Sequence, residues 1–224
     1  MLRLRTPRNF GVRQNNEESR LPKKVIVIAC EGKTEEEYFK LFNEKNIILK
    51  IKDLSIEILE KQDIKDKKSA PIHILDLLEE YKAYYQIDSD ELWMVVDRDS
   101  QNNSKKQLEI IIDKCNKLGF NIALSNPTFE LWLLLHIKNI SEYDSTTLIK
   151  IKQNRKINKN KRFLERELSN LIGGYTKGVI KPDVFLPKVK TAIKQAKQID
   201  KSYKIRKIDN FGTTVFLLVE NIIN

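Results

Sequence analysis

At 224 residues, with 41% hydrophobic and 32% charged residues, the chain has the make-up of a globular protein with one good core, or one core plus a smaller appended unit. No apolar run approaches the roughly 18 residues a membrane-spanning helix needs, and the basic, polar first twenty residues lack the apolar centre of a secretory signal, so a cytoplasmic protein is expected. The net charge of +10 is unevenly placed: residues 150–207 hold 18 Lys or Arg against 4 Asp or Glu, whereas the rest of the chain holds 23 against 27.

Residues 1–22, with Arg3, Arg5, Arg8 and Arg13 among prolines and polar residues, read as a basic arm. Val25 to Cys30 is a short, β-branched apolar run, the pattern of a strand buried on both faces. Gly32 breaks it, and Thr34 with Glu37 makes a T-x-x-E capping signal for a helix over 35–46 whose apolar face is Tyr38, Phe39 and Phe42. A second strand is expected over 54–59. A helix opened by Pro71 follows to about residue 86, with Ile72, Leu75, Leu78 and then Tyr81 at helical spacing. A third strand, 91–96, ends in Asp97-Arg98-Asp99, and a helix over 105–118 stops at Gly119. A fourth strand (120–124) then leads to Asn126-Pro127, read as N-cap and first helical residue of an apolar helix.

This alternation predicts an α/β fold, a parallel sheet of about four strands covered by helices on both faces. After about residue 140 the strand signal disappears. Lys-rich helices are expected near 145–157, 160–172 and 185–201, with a last apolar helix over 213–223 packing back on the core. The expected organisation is an arm (1–22), an α/β domain (23–140) and a basic helical extension (141–224).

The clustered charge of the extension suggests a nucleic-acid partner, with Lys152, Arg155, Lys156, Lys159, Lys161 and Arg162 as backbone-binding candidates. A Lys-rich solvated surface gives the same composition, but not the same clustering. Glu31 stands beyond the carboxyl end of the first strand, where open α/β sheets place their chemistry. Asp97 and Asp99, as i and i+2 of an extended segment, face one way and meet Glu31 if the first and third strands are neighbours. No Lys or Arg of these motifs balances the three carboxylates, so a divalent cation would. An all-oxygen donor set favours Mg2+ or Mn2+.

Glu130, in the first turn of its helix, serves either as a further ligand or simply to complement the helix dipole. Glu35, Lys33 and Arg98 are candidates for supporting roles, although Arg98 should point to the opposite face. His136, about 240° around the helix from Glu130, reads as a packed core residue, as do Trp93 and Trp132. Gly32-Lys33-Thr34 ends like a phosphate-binding loop, but Val27 stands where that motif needs its first glycine. Cys30 and Cys115 have neither disulfide nor zinc spacing.

Taken together, EGKTEEEYF (31–39), VVDRDS (95–100), SNPTFELWLLLH (125–136) and GTTVFLLVE (212–220) resemble the RloB-like family, proteins with a Toprim-type domain associated with abortive infection and anti-phage defence. The resemblance covers nearly the whole chain after the arm. It implies a metal-dependent act on phosphodiesters, with Glu31, Asp97 and Asp99 matching the Toprim Glu and D-x-D, and with Glu35 and Glu130 matching acidic positions of the family motifs. It also implies a separate ATPase partner, and relatives that resemble transfer-RNA-cutting toxins, which places RNA ahead of DNA as substrate. Toprim nucleases can dimerise. The expectation is a Mg2+- or Mn2+-dependent nuclease, the alternative a non-catalytic nucleic-acid-binding or regulatory subunit of an ATPase.

Overall fold

The computed structural model describes residues 24–44, 54–59, 71–85, 90–99, 104–199 and 208–223. The arm expected over 1–22 lies outside the described residues, as do residues 200–207 of the basic segment.

Four strands, β1 (Lys24–Cys30), β2 (Leu54–Leu59), β3 (Glu91–Asp97) and β4 (Asn121–Asn126), pair in parallel in the order β2-β1-β3-β4. Strict alternation divides the inner strands between two cores. Val25, Val27 and Ala29 of β1, with Leu92, Met94 and Val96 of β3, meet helices α2 (Pro71–Tyr85) and α3 (Lys105–Leu118). Ile26, Ile28 and Cys30, with Trp93 and Val95, share the other core with Tyr38, Phe39 and Phe42 of α1 (Lys33–Glu44). Burial on both faces is why these strands read as near-continuous apolar runs. This mixed α/β architecture is the expected one and is compatible with a Toprim-like fold.

The second core continues through α4 (Glu130–Ile137), α6 (Phe163–Leu171), α8 (Val189–Ile199) and α9 (Val215–Ile223). Leu131 to Leu135 of α4 have no exposed surface at all, so this helix is apolar around its whole circumference. His136 is buried with it: its Nε2 lies 3.1 Å from the Tyr38 hydroxyl and its Nδ1 2.9 Å from the Trp132 carbonyl.

Several local expectations are corrected. A fifth strand, β5 (Gly212–Thr213), runs antiparallel to β4. Two residues are too short to show alternation, and hydroxyls secure the pairing instead: Ser125 Oγ lies 2.9 Å from Thr213 Oγ1, and Thr214 Oγ1 accepts the Leu124 amide. Asn126 does not cap α4. It ends β4 before a cis peptide to Pro127, and its amide donates to the Asn210 carbonyl, while Phe129 precedes the first helical residue, Glu130. Thr34 lies inside α1, which begins two residues earlier than expected, and its hydroxyl accepts the Gly178 amide instead of capping. Ile72 is exposed, and the buried stripe of α2 is Ile74, Leu75, Leu77, Leu78 and Tyr81.

The Lys-rich region also differs in detail. Helix α5 (Ser145–Gln153) stops where Asn154 turns left-handed, at φ 40°, so residues 154–162 form a hairpin closed by a Lys156–Arg162 bridge. Pro182 and Pro187 divide the following segment into a short helix α7 (Pro182–Phe185), a 3-10 turn (Leu186–Lys188) and α8. No described helix is long and apolar enough to cross a membrane.

Candidate functional site

Because β1, β3 and β4 are parallel, their carboxyl ends open on one edge of the sheet, and a cleft of about 300 Å³ lies there. Its walls include Glu31, Lys33, Glu35, Asp97, Asp99 and Lys177. The first and third strands are neighbours, with Cys30 opposite Val95. The Glu31 amide continues that pairing by donating to the Val95 carbonyl, and the Glu31 carboxylate accepts the Asp97 amide at 3.2 Å. The strand-end Glu and the first Asp of D-x-D are thereby joined.

Glu35 enters from the first turn of α1, where its carboxylate lies directly over Gly32. A β-carbon added to Gly32 would stand 2.6 Å from Glu35 Oε2, so any other residue there would push the carboxylate aside. Glu130 enters from the first turn of α4 and is fully committed. One oxygen accepts the Thr128 hydroxyl at 2.6 Å; the other accepts the Tyr175 hydroxyl at 3.1 Å and lies 3.7 Å from the Lys177 ammonium.

The electrostatics follow from this crowding. Burial first, then the like charge of Glu130, raises the Glu35 carboxyl to about pH 7, against the weaker opposing pull of Lys177. Asp97 is also pushed well above the usual carboxylate range, by burial and by Glu35, Glu130 and Glu31. It keeps part of its surface in water, but the three like charges alone act in the same direction. Lys177 responds in the opposite sense, held more firmly protonated chiefly by Glu130, and lies 3.9 Å from Glu165 as well.

Asp99 departs from the extended D-x-D geometry. The strand ends at Asp97, Asp99 has φ 24°, and its carboxylate pairs with Arg162 at 3.2 Å while still lining the cleft. Arg98 points elsewhere, buried against Asp209 at 2.7 Å, and does not line the cleft. Arg162, expected to hold a nucleic-acid backbone at the surface, is instead buried beside Asp99. The other candidates keep solvent contact: Lys152, Arg155, Lys156 and Lys159 are exposed and Lys161 is half-buried. Among the described residues no three acidic, His or Cys side chains form a ready-made metal-ligand set.

A family model described as RloB-like protein matches residues 26–222. The chain belongs to the RloB-like family. No curated protein and no solved structure matches it.

Three residues of this RloB-like site are invisible to motif reading, Asn154, Tyr175 and Lys177, and a fourth, Arg162, stands among the expected backbone-binding residues but takes a different place, beside Asp99. The absence of a balancing cation, expected from the motifs, is corrected by Arg162 and Lys177, which arrive from the Lys-rich segment. Asn154 ties that segment to the cleft. Its side-chain oxygen accepts the Leu164 amide, its NH2 donates to Thr128 Oγ1, and its carbonyl accepts from Arg162. A polar residue that tolerates left-handed backbone was the available signal. Asn154→Ala is expected to cost about 2–3 kcal/mol, from two buried hydrogen bonds and a strained backbone. Asn154→Gly, which relieves the backbone but does not restore the hydrogen bonds, should recover only part. Denaturant midpoints check this, and an Ala variant as stable as wild type would show the hairpin is not anchored here.

Proposed function

We propose that this RloB-like protein is a Mg2+- or Mn2+-dependent nuclease, an effector of anti-phage abortive infection acting on RNA in preference to DNA, with transfer RNA one candidate target. The observation that supports this reading is the convergence of Glu31, Glu35, Asp97 and Glu130 at the carboxyl edge of a parallel sheet, beside a hairpin whose tip is basic. The donors are all oxygen and like charge already raises Glu35 and Asp97, so a hard divalent cation fits their chemistry. Because no ligand set is ready-made among the described residues, the side chains would re-aim on binding.

Glu31 and Asp97 would hold the ion, which supplies charge stabilisation and an activated water for phosphodiester hydrolysis. Glu35, with its carboxyl raised to about pH 7, can hold or release a proton near neutrality. Glu130, fixed by Thr128 and Tyr175, holds Lys177 at the rim, where the ammonium can meet a phosphate oxygen. Arg162 holds Asp99 in place. A cytoplasmic location, a separate ATPase partner and a homodimer belong to the same proposal.

The second reading, a non-catalytic nucleic-acid-binding or regulatory subunit, is favoured by one observation: Asp99 and Glu130 are already occupied by Arg162, Thr128 and Tyr175. Incubation of the protein with transfer RNA, ribosomal RNA, single-stranded DNA and plasmid, with Mn2+ or Mg2+ and a chelator control, separates the two. Chelator-sensitive cutting of RNA is expected; salt-sensitive binding without cutting, in the presence of the partner ATPase too, would establish the second reading.

A further inference from the structure

The hairpin that delivers Arg162 to the acidic cleft has a second face. There a cavity of about 230 Å³ is lined by Lys150, Gln153, Arg155, Ile157, Phe163 and Arg166. Three of the six are cations and none is an acid. Arg98, Arg162 and Lys177 each face a carboxylate, whereas Lys150, Arg155 and Arg166 form no ion pair among the described residues. Their positive field is therefore not cancelled locally, and it faces a concave surface instead of open water.

The cavity also has an apolar component. Ile157 is 37% exposed at the tip of an otherwise polar hairpin, and the Arg166 guanidinium lies over the Phe163 ring at 4.9 Å. Phe163 is itself buried, so the surface it offers is the planar Arg166 guanidinium it supports. A planar guanidinium beside exposed aliphatic surface is what an unpaired base stacks on, while the remaining cations suit its phosphate. A duplex would offer this pocket phosphates but no base face. Backbone geometry couples the cavity to the cleft: the Phe163 amide donates to the Arg155 carbonyl across the hairpin, and its neighbour Arg162 reaches Asp99.

We infer that this cavity binds one nucleotide of a single-stranded nucleic acid, its phosphate held by Lys150 and Arg155 and its base against Ile157 and the Arg166 guanidinium that lies over Phe163. The inference rests on the nuclease reading for its purpose, since the hairpin that lines this cavity is the one that carries Arg162 to Asp99 at the acidic cleft.

The test measures fluorescence anisotropy of labelled single-stranded RNA, and of DNA of the same sequence, each about twelve nucleotides, in chelator and over a range of salt. The variant Arg155→Gln/Arg166→Gln is compared with Lys190→Gln/Lys194→Gln, which removes equal charge from exposed positions of α8. The pocket variant should weaken RNA binding by about ten-fold or more, and its log K against log salt slope should fall by about 0.7 for each phosphate that is no longer neutralised. The α8 variant should stay within about two-fold of wild type. All four positions are exposed and the pocket variant gives up the Arg166 contact with the Phe163 ring, so a melting temperature within about 4 °C of wild type is expected and verifies the fold.

Comparable loss for RNA and DNA supports a site blind to the sugar. Equal loss in the two variants, unchanged binding in the pocket variant, no binding by wild type, or equal weakening of a duplex would overturn the site. Chelator makes cutting irrelevant here. Loss of binding with an inactive wild type would thus retire the nuclease reading alone, and cutting with unchanged variant binding would retire only this site.

Discussion

Asp97→Asn is expected to lose metal-dependent cleavage by about a thousand-fold, which corresponds to several kcal/mol of charge stabilisation withdrawn with one metal ligand. The same change should not unfold the protein. The amide oxygen keeps an acceptor for the Phe129 amide, and the substitution removes a carboxyl crowded by Glu35, Glu130 and Glu31. Without metal, the variant should therefore melt at or above the wild-type temperature, the usual trade between a charged site and stability. A second readout is independent of cutting: at about 100 times its dissociation constant, Mn2+ should stabilise wild type by about 2.7 kcal/mol and the variant hardly at all. Wild-type cleavage by the variant would sink the site assignment. An unchanged metal shift would place the ion elsewhere.

The parts of this molecule that were legible in the sequence are those governed by local pattern. Val25 to Cys30 and Leu92 to Val96 announced themselves because burial on two faces leaves no polar positions, and Gly119 marked the end of α3 because it takes φ 75°. Glu31, Asp97 and Glu130 were legible for a related reason: strand ends and first helical turns are defined by the runs beside them.

The rest of the site depends on folding at long range. Arg162 stands 63 residues from Asp99, and Tyr175 stands 45 from Glu130. Within a segment so rich in Lys and Arg, nothing in composition distinguishes the cations that turn inward from those that stay in solvent. D-x-D misled in its second half because an extended segment was assumed past Asp97, where the chain instead bends to give Asp99 to Arg162. Glu35 could be given only a supporting role from sequence, with Glu36 and Glu37 beside it in the same turn. Its difference from Glu36 and Glu37 is burial, with its carboxylate packed over Gly32.

That burial makes Glu35→Gln the second large effect, and one with a characteristic pH dependence. A carboxyl raised from 4.5 to about 7 holds its proton more tightly folded than unfolded, so its contribution to stability falls as pH rises through that interval. The full cost above the interval is on the order of 3 kcal/mol. His136 acts in the opposite sense. Burial lowers it from 6.5 to about 4, so stability is lost as pH falls through nearly the same range. In wild type His136 opposes Glu35 while Asp97, also raised, acts with it, so a plain stability profile mixes all three.

Glu35→Gln removes one of them. In chelator, its stability relative to wild type should be near zero or slightly negative at pH 4.5, where both side chains are neutral and the amide merely fits less well. It should then climb by on the order of 3 kcal/mol by pH 8, following the charge that wild type must bury. Urea denaturation at four or five pH values across this range reads the difference directly. A difference that stays constant with pH would mean that Glu35 titrates like a solvated carboxylate. The acidic cleft would then lack the mutual repulsion on which its affinity for a cation is argued.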